Sequence, residues 1–272
     1  MCGRYVNISK LSEIEKRFKV KAKKGQKNDP NPNVSLGEYA PVITHETSKE
    51  LEYFQFGLCP HWAEKRKYLI NARGEGNYNL DNDPSYVGSQ GIFEKPMFQE
   101  SIRDRRCLVV ADAFIEGPQI SGLDRPFLIY KKDKRRPFAM AGIWDEWLDT
   151  KTGEYIRSFA ILTTVSNPLL QKIKHHRSPV ILDRETESTW LDPKSSEEDI
   201  SALLHPFNSM EFNGYPISPI IKSPTAKEMN LLMPTGPRLY KNHSYEIYSD
   251  IQSEINIIPN QLANIGIQQS LF

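Results

Sequence analysis

Cys2 stands directly behind the initiator methionine in Met1-Cys2-Gly3-Arg4. Its side chain is small enough that aminopeptidase trimming of Met1 is expected, and trimming leaves a 1,2-aminothiol. The α-amine has a reference pKa near ~8 and the thiol near ~8.5, so each has an accessible nucleophilic fraction at neutral pH. Two chemistries suit such a pair. Sulfur can attack an amide with the terminal amine as base, or amine and then thiol can condense with an aldehyde and close a five-membered thiazolidine. Position alone leaves a third reading open, in which Met1 stays on and Cys2 begins a buried strand.

Three more groupings carry polar chemistry. Asn71-Ala72-Arg73 follows the apolar Leu69-Ile70, where a strand end would present an amide able to orient a reacting group. Two residues on and pointing to the same side of the strand, the Arg73 guanidinium could grip a phosphate. Glu116 ends the run Ala113-Phe114-Ile115-Glu116 before a Gly-Pro turn, and partial desolvation there would raise its pKa toward useful acid-base values. Asp112 is its rival. In His175-His176-Arg177-Ser178-Pro179 a histidine suited to proton transfer near neutrality precedes a second arginine, with Lys172 and Lys174 extending the basic surface. Adjacent histidines point in different directions and no third ligand follows, so no metal site is expected, and no cofactor either.

These groups need a scaffold. Short apolar runs at 51–56, 107–110, 127–130, 138–143 and 158–164 read as strands. Leu11, Ile14 and Phe18 at helical spacing behind Ser9 predict an early helix with Ser9 as N-cap, and further helical signals lie at 98–104, 167–173 and 196–204. Most strands are joined by short turns rather than helical crossovers. An α+β fold with a largely antiparallel, barrel-like sheet and flanking helices follows. Segment 74–96, rich in Gly, Asn, Asp and Pro, reads as a long loop.

Composition narrows the classes. The 35 Lys plus Arg nearly cancel the 34 Asp plus Glu, which argues against a general nucleic-acid coat protein and makes any phosphate binding local. No apolar run of membrane-spanning length and no secretory leader pattern appears, so a soluble cytoplasmic protein is expected. The three cysteines, Cys2, Cys59 and Cys107, are widely spaced; Cys59 and Cys107 read as small buried hydrophobes rather than disulfide or zinc partners.

Taken in order, these pieces resemble the SOS-response-associated peptidase (SRAP) family, whose members cross-link themselves to abasic sites in single-stranded DNA. Met-Cys-Gly-Arg opens the chain, Tyr39-Ala40-Pro41 resembles the family's early Ala-Pro turn, and Phe56-Gly57-Leu58-Cys59-Pro60-His61-Trp62 resembles its Trp-Gly-Leu-x-Pro-x-Trp stretch. Ile70-Asn71-Ala72-Arg73, then 106–116, Ala141-Gly142-Ile143-Trp144-Asp145-Glu146-Trp147, Thr163-Thr164 and 175–182 follow at the expected intervals. The likeness spans about residues 2–235, expected as one domain, with 236–272 as a C-terminal extension. It implies that Cys2 supplies amine and thiol, Asn71 positions them, Glu116 moves protons, and His175 helps open the abasic sugar or assists reversal. Arg4, Arg73 and Arg177 would hold flanking phosphates, Pro41 and Trp62 would pack on neighbouring bases, and Thr163 would add a polar contact. Lyase-type and self-processing peptidase activities go with the same resemblance.

Departures are also visible. Phe56 replaces a tryptophan, His61 a small residue, and Gly117 stands where tryptophan is common; Gly74 and Gly76 replace Ser and Thr, which predicts a looser turn. Gln268-Gln269-Ser270-Leu271-Phe272 looks like the short peptide with which bacterial proteins dock on the replication sliding clamp, Gln268, Leu271 and Phe272 being its anchors. Two rival functions stand beside the resemblance: an N-terminal-nucleophile amidohydrolase of the class II glutamine amidotransferase kind, and a non-covalent single-strand binder.

Overall fold

A computed structural model describes residues 3–47, 49–133, 135–241 and 247–253. Cys2 and the segment with Gln268, Leu271 and Phe272 lie outside the described residues. In chain order the strands are β1 (Arg4–Asn7), β2 (Lys21–Ala22), β3 (Asn31–Val34), β4 (Tyr39–Thr44), β5 (Glu50–Phe56), β6 (Asn71–Arg73) and β7 (Arg106–Ala111). They continue as β8 (Ala113–Glu116), β9 (Phe127–Lys131), β10 (Phe138–Asp149), β11 (Glu154–Val165), β12 (Arg177–Pro179), β13 (Ile181–Leu182) and β14 (Phe212–Pro216). The helices are α1 (Leu11–Phe18), α2 (Gln99–Asp104), α3 (Pro168–Lys172), α4 (Glu187–Leu191), α5 (Glu197–Leu203) and a helix over 247–253.

Each predicted strand and helix is present, and the sheet closes. Strands β11, β10, β7, β4 and β5 form a ring of five. Four neighbouring pairs in it are antiparallel, and β5 meets β11 in parallel. Parity requires this, because strand direction must reverse an even number of times around a ring, so five strands cannot close with antiparallel pairs alone. Strand β6 extends the parallel edge of β11, with Asn71 opposite Ile161 and Arg73 opposite Thr163. A second sheet, in the order β14-β9-β8-β1-β3, is antiparallel throughout.

Continuous apolar runs arise because both faces of the barrel strands are covered. In β7, Cys107, Val109 and Ala111 join one core cluster, which the barrel shares with the inner face of the second sheet through Tyr5, Phe114, Ile129 and Phe212. Leu108 and Val110 turn the other way, into a cluster completed by Ile14, Ile102, Trp190 and Ile200 from the helices. The outer face of the second sheet is covered in turn by a later segment that includes Leu232, Ile247 and Ile251. Packing therefore continues past residue 235, and Leu239 N–H donates to Gly214 O at 2.8 Å.

The two sheets are joined by the strand that runs from β7 through Asp112 into β8. Asp112 is 1% exposed, and one of its oxygens accepts the N–H groups of Ile8 (2.6 Å) and Ser9 (2.8 Å). The other accepts the Ser9 hydroxyl at 2.5 Å and the Arg136 guanidinium at 3.1 Å. Ser9 is thus spent on the strand kink rather than on capping α1, where Lys10 occupies the N-cap position and its N–H donates to Glu13 at 2.8 Å. Asp112→Ala is expected to cost about 3–5 kcal/mol, the scale for removing one partner of a buried charged network. Urea unfolding measures it, and a loss below about 1 kcal/mol would show that the kink holds without the carboxylate.

Candidate active site

β1 lies antiparallel to β8, with Arg4 opposite Ile115 and Tyr5 opposite Phe114. One further step of that register sets Gly3 against Glu116. Here a cleft of about 310 Å³ opens, lined by Gly3, Arg4, Leu36, Ile70, Glu116, Leu123, His175 and His176 among others. Both Glu116 and His175 are 4% exposed, and His175 Nε2 lies 3.2 Å from a Glu116 oxygen.

The proton inventory of this pair follows from geometry. His175 Nδ1 sits 2.7 Å from Gly117 O, and since a carbonyl only accepts, Nδ1 carries the hydrogen. In neutral imidazole Nε2 is then an acceptor, facing the carboxyl. Burial pushes Glu116 up to about 7 and His175 down to about 3, because each charged form loses its hydration. Between those values the pair is a neutral carboxylic acid beside a neutral imidazole, with the mobile proton on Glu116. His176, its ring 5.1 Å from that of His175, is likewise held low, first by burial.

Gly117 has a local reason. A Cβ there would meet Gly122 O at 1.8 Å, so no side chain fits. The chain folds back tightly, Gly122 N–H donating to Pro118 O at 2.7 Å, and this turn brings Gln119 and Leu123 to the cleft.

The sequence-predicted residues are divided by the fold. Glu116, His175 and Arg4 line the cleft, and half-buried Asn71 follows Ile70 of its wall. Arg73 is engaged locally, donating to Asn79 O (2.9 Å) and to Asn82 Oδ1 (2.7 Å). Arg177, 2% exposed, is turned inward onto Glu75 by two hydrogen bonds, 3.2 and 2.7 Å, and reaches Thr163 Oγ1 at 3.3 Å. Arg177 and buried Thr163 therefore sit inside the wall, away from solvent. Pro41 is buried in β4 and lines a neighbouring cleft of about 370 Å³ with Asn7 and Tyr53. Trp62 is 46% exposed, with the Lys67 ammonium 5.1 Å from its ring; Tyr68, 49% exposed, carries Arg66 in the same way at 4.8 Å.

Sequence reasoning left Glu75 without a role, yet this 1% exposed carboxylate ties β12 to the start of the long loop and also accepts from Thr164 at 3.2 Å. A lone carboxylate in a Gly-rich stretch has no periodicity to reveal its burial. Nor is the loop loosened at its glycines. Gly76 has φ +57°, and a Cβ there would meet the Gly91 backbone at 2.6 Å, so its bareness lets the two ends of the loop touch; Ile92 N–H then donates to Gly74 O at 3.0 Å. Among the described residues no group of three His, Cys, Asp or Glu is arranged to hold a metal, and no helix is long and apolar enough to cross a membrane.

The family described as SOS response associated peptidase (SRAP) matches residues 1–224. The chain is 29% identical over 239 residues to abasic site processing protein YoqW of Bacillus subtilis (strain 168), covering 85% of this chain and 99% of that one. It is 30% identical over 197 residues to abasic site processing protein HMCES of Rattus norvegicus, covering 62% of this chain and 52% of the relative. A solved structure of a protein from Bacteroides thetaiotaomicron superposes with a TM-score of 0.71 at 30% identity, covering 86% of this chain and all, 100%, of the other.

Two measurements check the site's electrostatics. A folded pKa of about 7 against 4.5 for the free carboxyl means that folded Glu116 keeps a proton that the unfolded chain releases. Its stabilising contribution is full below pH 4.5 and is lost as pH rises through 7. Relative to Glu116→Gln, the wild-type chain should lose about 1 kcal/mol of stability per pH unit across that window, measured by urea unfolding; a constant difference would show that the carboxyl is not raised. Glu75→Gln, which leaves Arg177 buried without its charge partner, should cost about 3–5 kcal/mol, read from the shift in the urea midpoint.

Proposed function

The chain belongs to the SOS response associated peptidase family, and from that premise we propose that it processes abasic sites in single-stranded DNA by forming a thiazolidine cross-link through Cys2. The observation that carries this reading is the buried Glu116–His175 pair, a neutral acid beside a neutral imidazole in the cleft that Gly3 lines. Once Met1 is removed, the α-amine of Cys2 attacks the C1′ aldehyde of the opened deoxyribose. A proton from Glu116 lets the carbinolamine hydroxyl leave as water, giving a protonated imine. The Cys2 thiol then adds to the imine carbon, and its proton returns to the Glu116 carboxylate, closing the ring with one water lost overall. His175 Nε2 accepts the hydrogen bond of protonated Glu116 and so keeps the acid aimed, and the same relay serves sugar opening and reversal. Asn71 orients the amine.

The surface supports a path for the strand. Arg4 lies at the cleft, and Trp62 with Lys67 and Tyr68 with Arg66 offer exposed rings carrying cations, the combination that stacks bases while holding phosphates. Arg177, Thr163 and Arg73 brace the wall and the long loop that border this path, and Pro41 shapes the neighbouring cleft. Amide hydrolysis by an N-terminal nucleophile would leave the protonated Glu116 without a task, since thioester chemistry calls on an oxyanion hole. The segment Gln268–Phe272 is proposed to dock on the sliding clamp; its deletion should abolish retention on clamp-loaded beads, and undiminished retention would sink that partner.

Incubating the trimmed protein with single-stranded DNA that bears one abasic site should give a band that survives denaturing electrophoresis. Cys2→Ala or retained Met1 should abolish it, and Glu116→Gln should slow its formation about 10²–10⁴-fold, the usual range for a lost acid-base group. The rate should fall as pH rises through about 7, where Glu116 gives up its proton. A Glu116→Gln protein as fast as wild type would remove the carboxyl from the mechanism, while glutamine turnover without a band would favour the amidohydrolase and non-covalent affinity alone would favour a plain binder.

A further inference from the structure

The loop that lines one side of the cleft points to a second stretch of surface. Gln119, in the lining, donates its N–H to Lys174 O at 3.0 Å, and exposed Lys174 is followed directly by His175. From Lys174 the surface leads to exposed Lys172 at the end of α3. Its ammonium lies 4.9 Å from the centre of the Tyr240 ring, and Lys132, just beyond β9, brings a second ammonium to the same ring at 4.9 Å.

This arrangement is held firmly. Asn213, fully buried, clamps the Tyr240 backbone from both sides, donating to its carbonyl at 2.9 Å and accepting from its N–H at 3.0 Å. The carboxylates beside Lys132 are already taken: Glu211, whose carbonyl accepts the Lys132 N–H at 2.8 Å, by Lys131 at 3.2 Å, and Asp133 by Arg135. Among the described residues neither Lys132 nor Lys172 has an ion-pair partner. Burial alone shifts the Lys132 ammonium down, with no carboxylate opposing it. Two like charges on one ring repel each other, and an anion beside the ring would relieve both. The chain's formal net charge is only +1, so an anion here would be held by the local charge of this pair.

We propose that Lys172, Tyr240 and Lys132 form a phosphate track that holds a nucleic-acid strand after it leaves the cleft past Gln119 and Lys174. The proposal rests on the reading that the cleft takes single-stranded DNA, and it adds a second contact region distinct from the Trp62 and Tyr68 surface. The ligand chemistry is the sugar-phosphate backbone, read without regard to sequence, with the tyrosine serving as a rigid spacer between two ammonium groups.

The test compares the full chain with Lys132→Gln/Lys172→Gln on undamaged thymidine strands of about 5 and about 20 nucleotides, by fluorescence anisotropy over a salt series. On the long strand the double variant should bind roughly tenfold more weakly at about 50 mM salt, and the slope of log affinity against log salt should shrink by about 1.4, the value for two phosphates of a single strand. On the short strand the two proteins should bind alike. Lys172→Gln alone, at an exposed position, should give about half the change in slope and guards against misfolding of the double variant. Equal long-strand affinities and slopes for variant and wild type would overturn the track and leave the lysines as mere covers for Tyr240. Cross-linking to the short strand carrying an abasic site is read in parallel. Its absence in the wild-type protein defeats the cleft reading and leaves the track measurement on undamaged DNA intact.

Discussion

The strand over 106–116 carries the architecture. Its first half is a stave of the barrel, its second half is central in the other sheet, and Asp112 marks the bend. A strand cannot change sheets without breaking its ladder locally, which leaves N–H groups that must find acceptors inside the protein. One buried carboxylate takes two of them, from Ile8 and Ser9, together with the Ser9 hydroxyl. The bond that makes the bend possible also seats β1, and β1 in its register brings Gly3 to the end of the strand where Glu116 stands. Position and chemistry of the cleft thus descend from a contact made at another point on the same strand.

Two buried carboxylates near one another in sequence have different surroundings for this reason. Asp112 is surrounded by donors and a guanidinium. Glu116 faces apolar walls and the Nε2 of an imidazole whose single N–H, on Nδ1, is committed to Gly117 O, so burial dominates and the acid stays protonated to about pH 7. A group of that kind can give a proton and take it back, which a condensation that expels water and then adds a thiol requires in succession.

Charge is also distributed by depth. Arg177 and Glu75 neutralise each other inside the wall, so the arginine that seemed available for phosphate fixes the frame instead. Cations with no ion-pair partner among the described residues include four that sit on aromatic rings at the surface: Arg66 and Lys67 on one stretch, Lys132 and Lys172 on another. Near-zero net charge is therefore compatible with a nucleic-acid ligand, because what matters is which cations are unpaired and outward.

Much of the fold could be read directly from the chain. Runs such as Cys107-Leu108-Val109-Val110 are apolar without interruption because both faces are buried, and that property marks a strand wherever it lands. Asn167 and Ser196 cap α3 and α5 through bonds that span only three residues; Ser9 misled because a distant carboxylate outcompeted the local cap. The sequence by itself determined the strands, most helices and the order of the chemical groups. Only the tertiary structure decided that the ring closes with one parallel pair, that Glu116 rather than Asp112 meets His175, and that Arg177 points inward to Glu75. Each of those outcomes depends on partners some 60 to 100 residues apart, and local propensity carries no information about which distant donor will reach a buried carboxylate first.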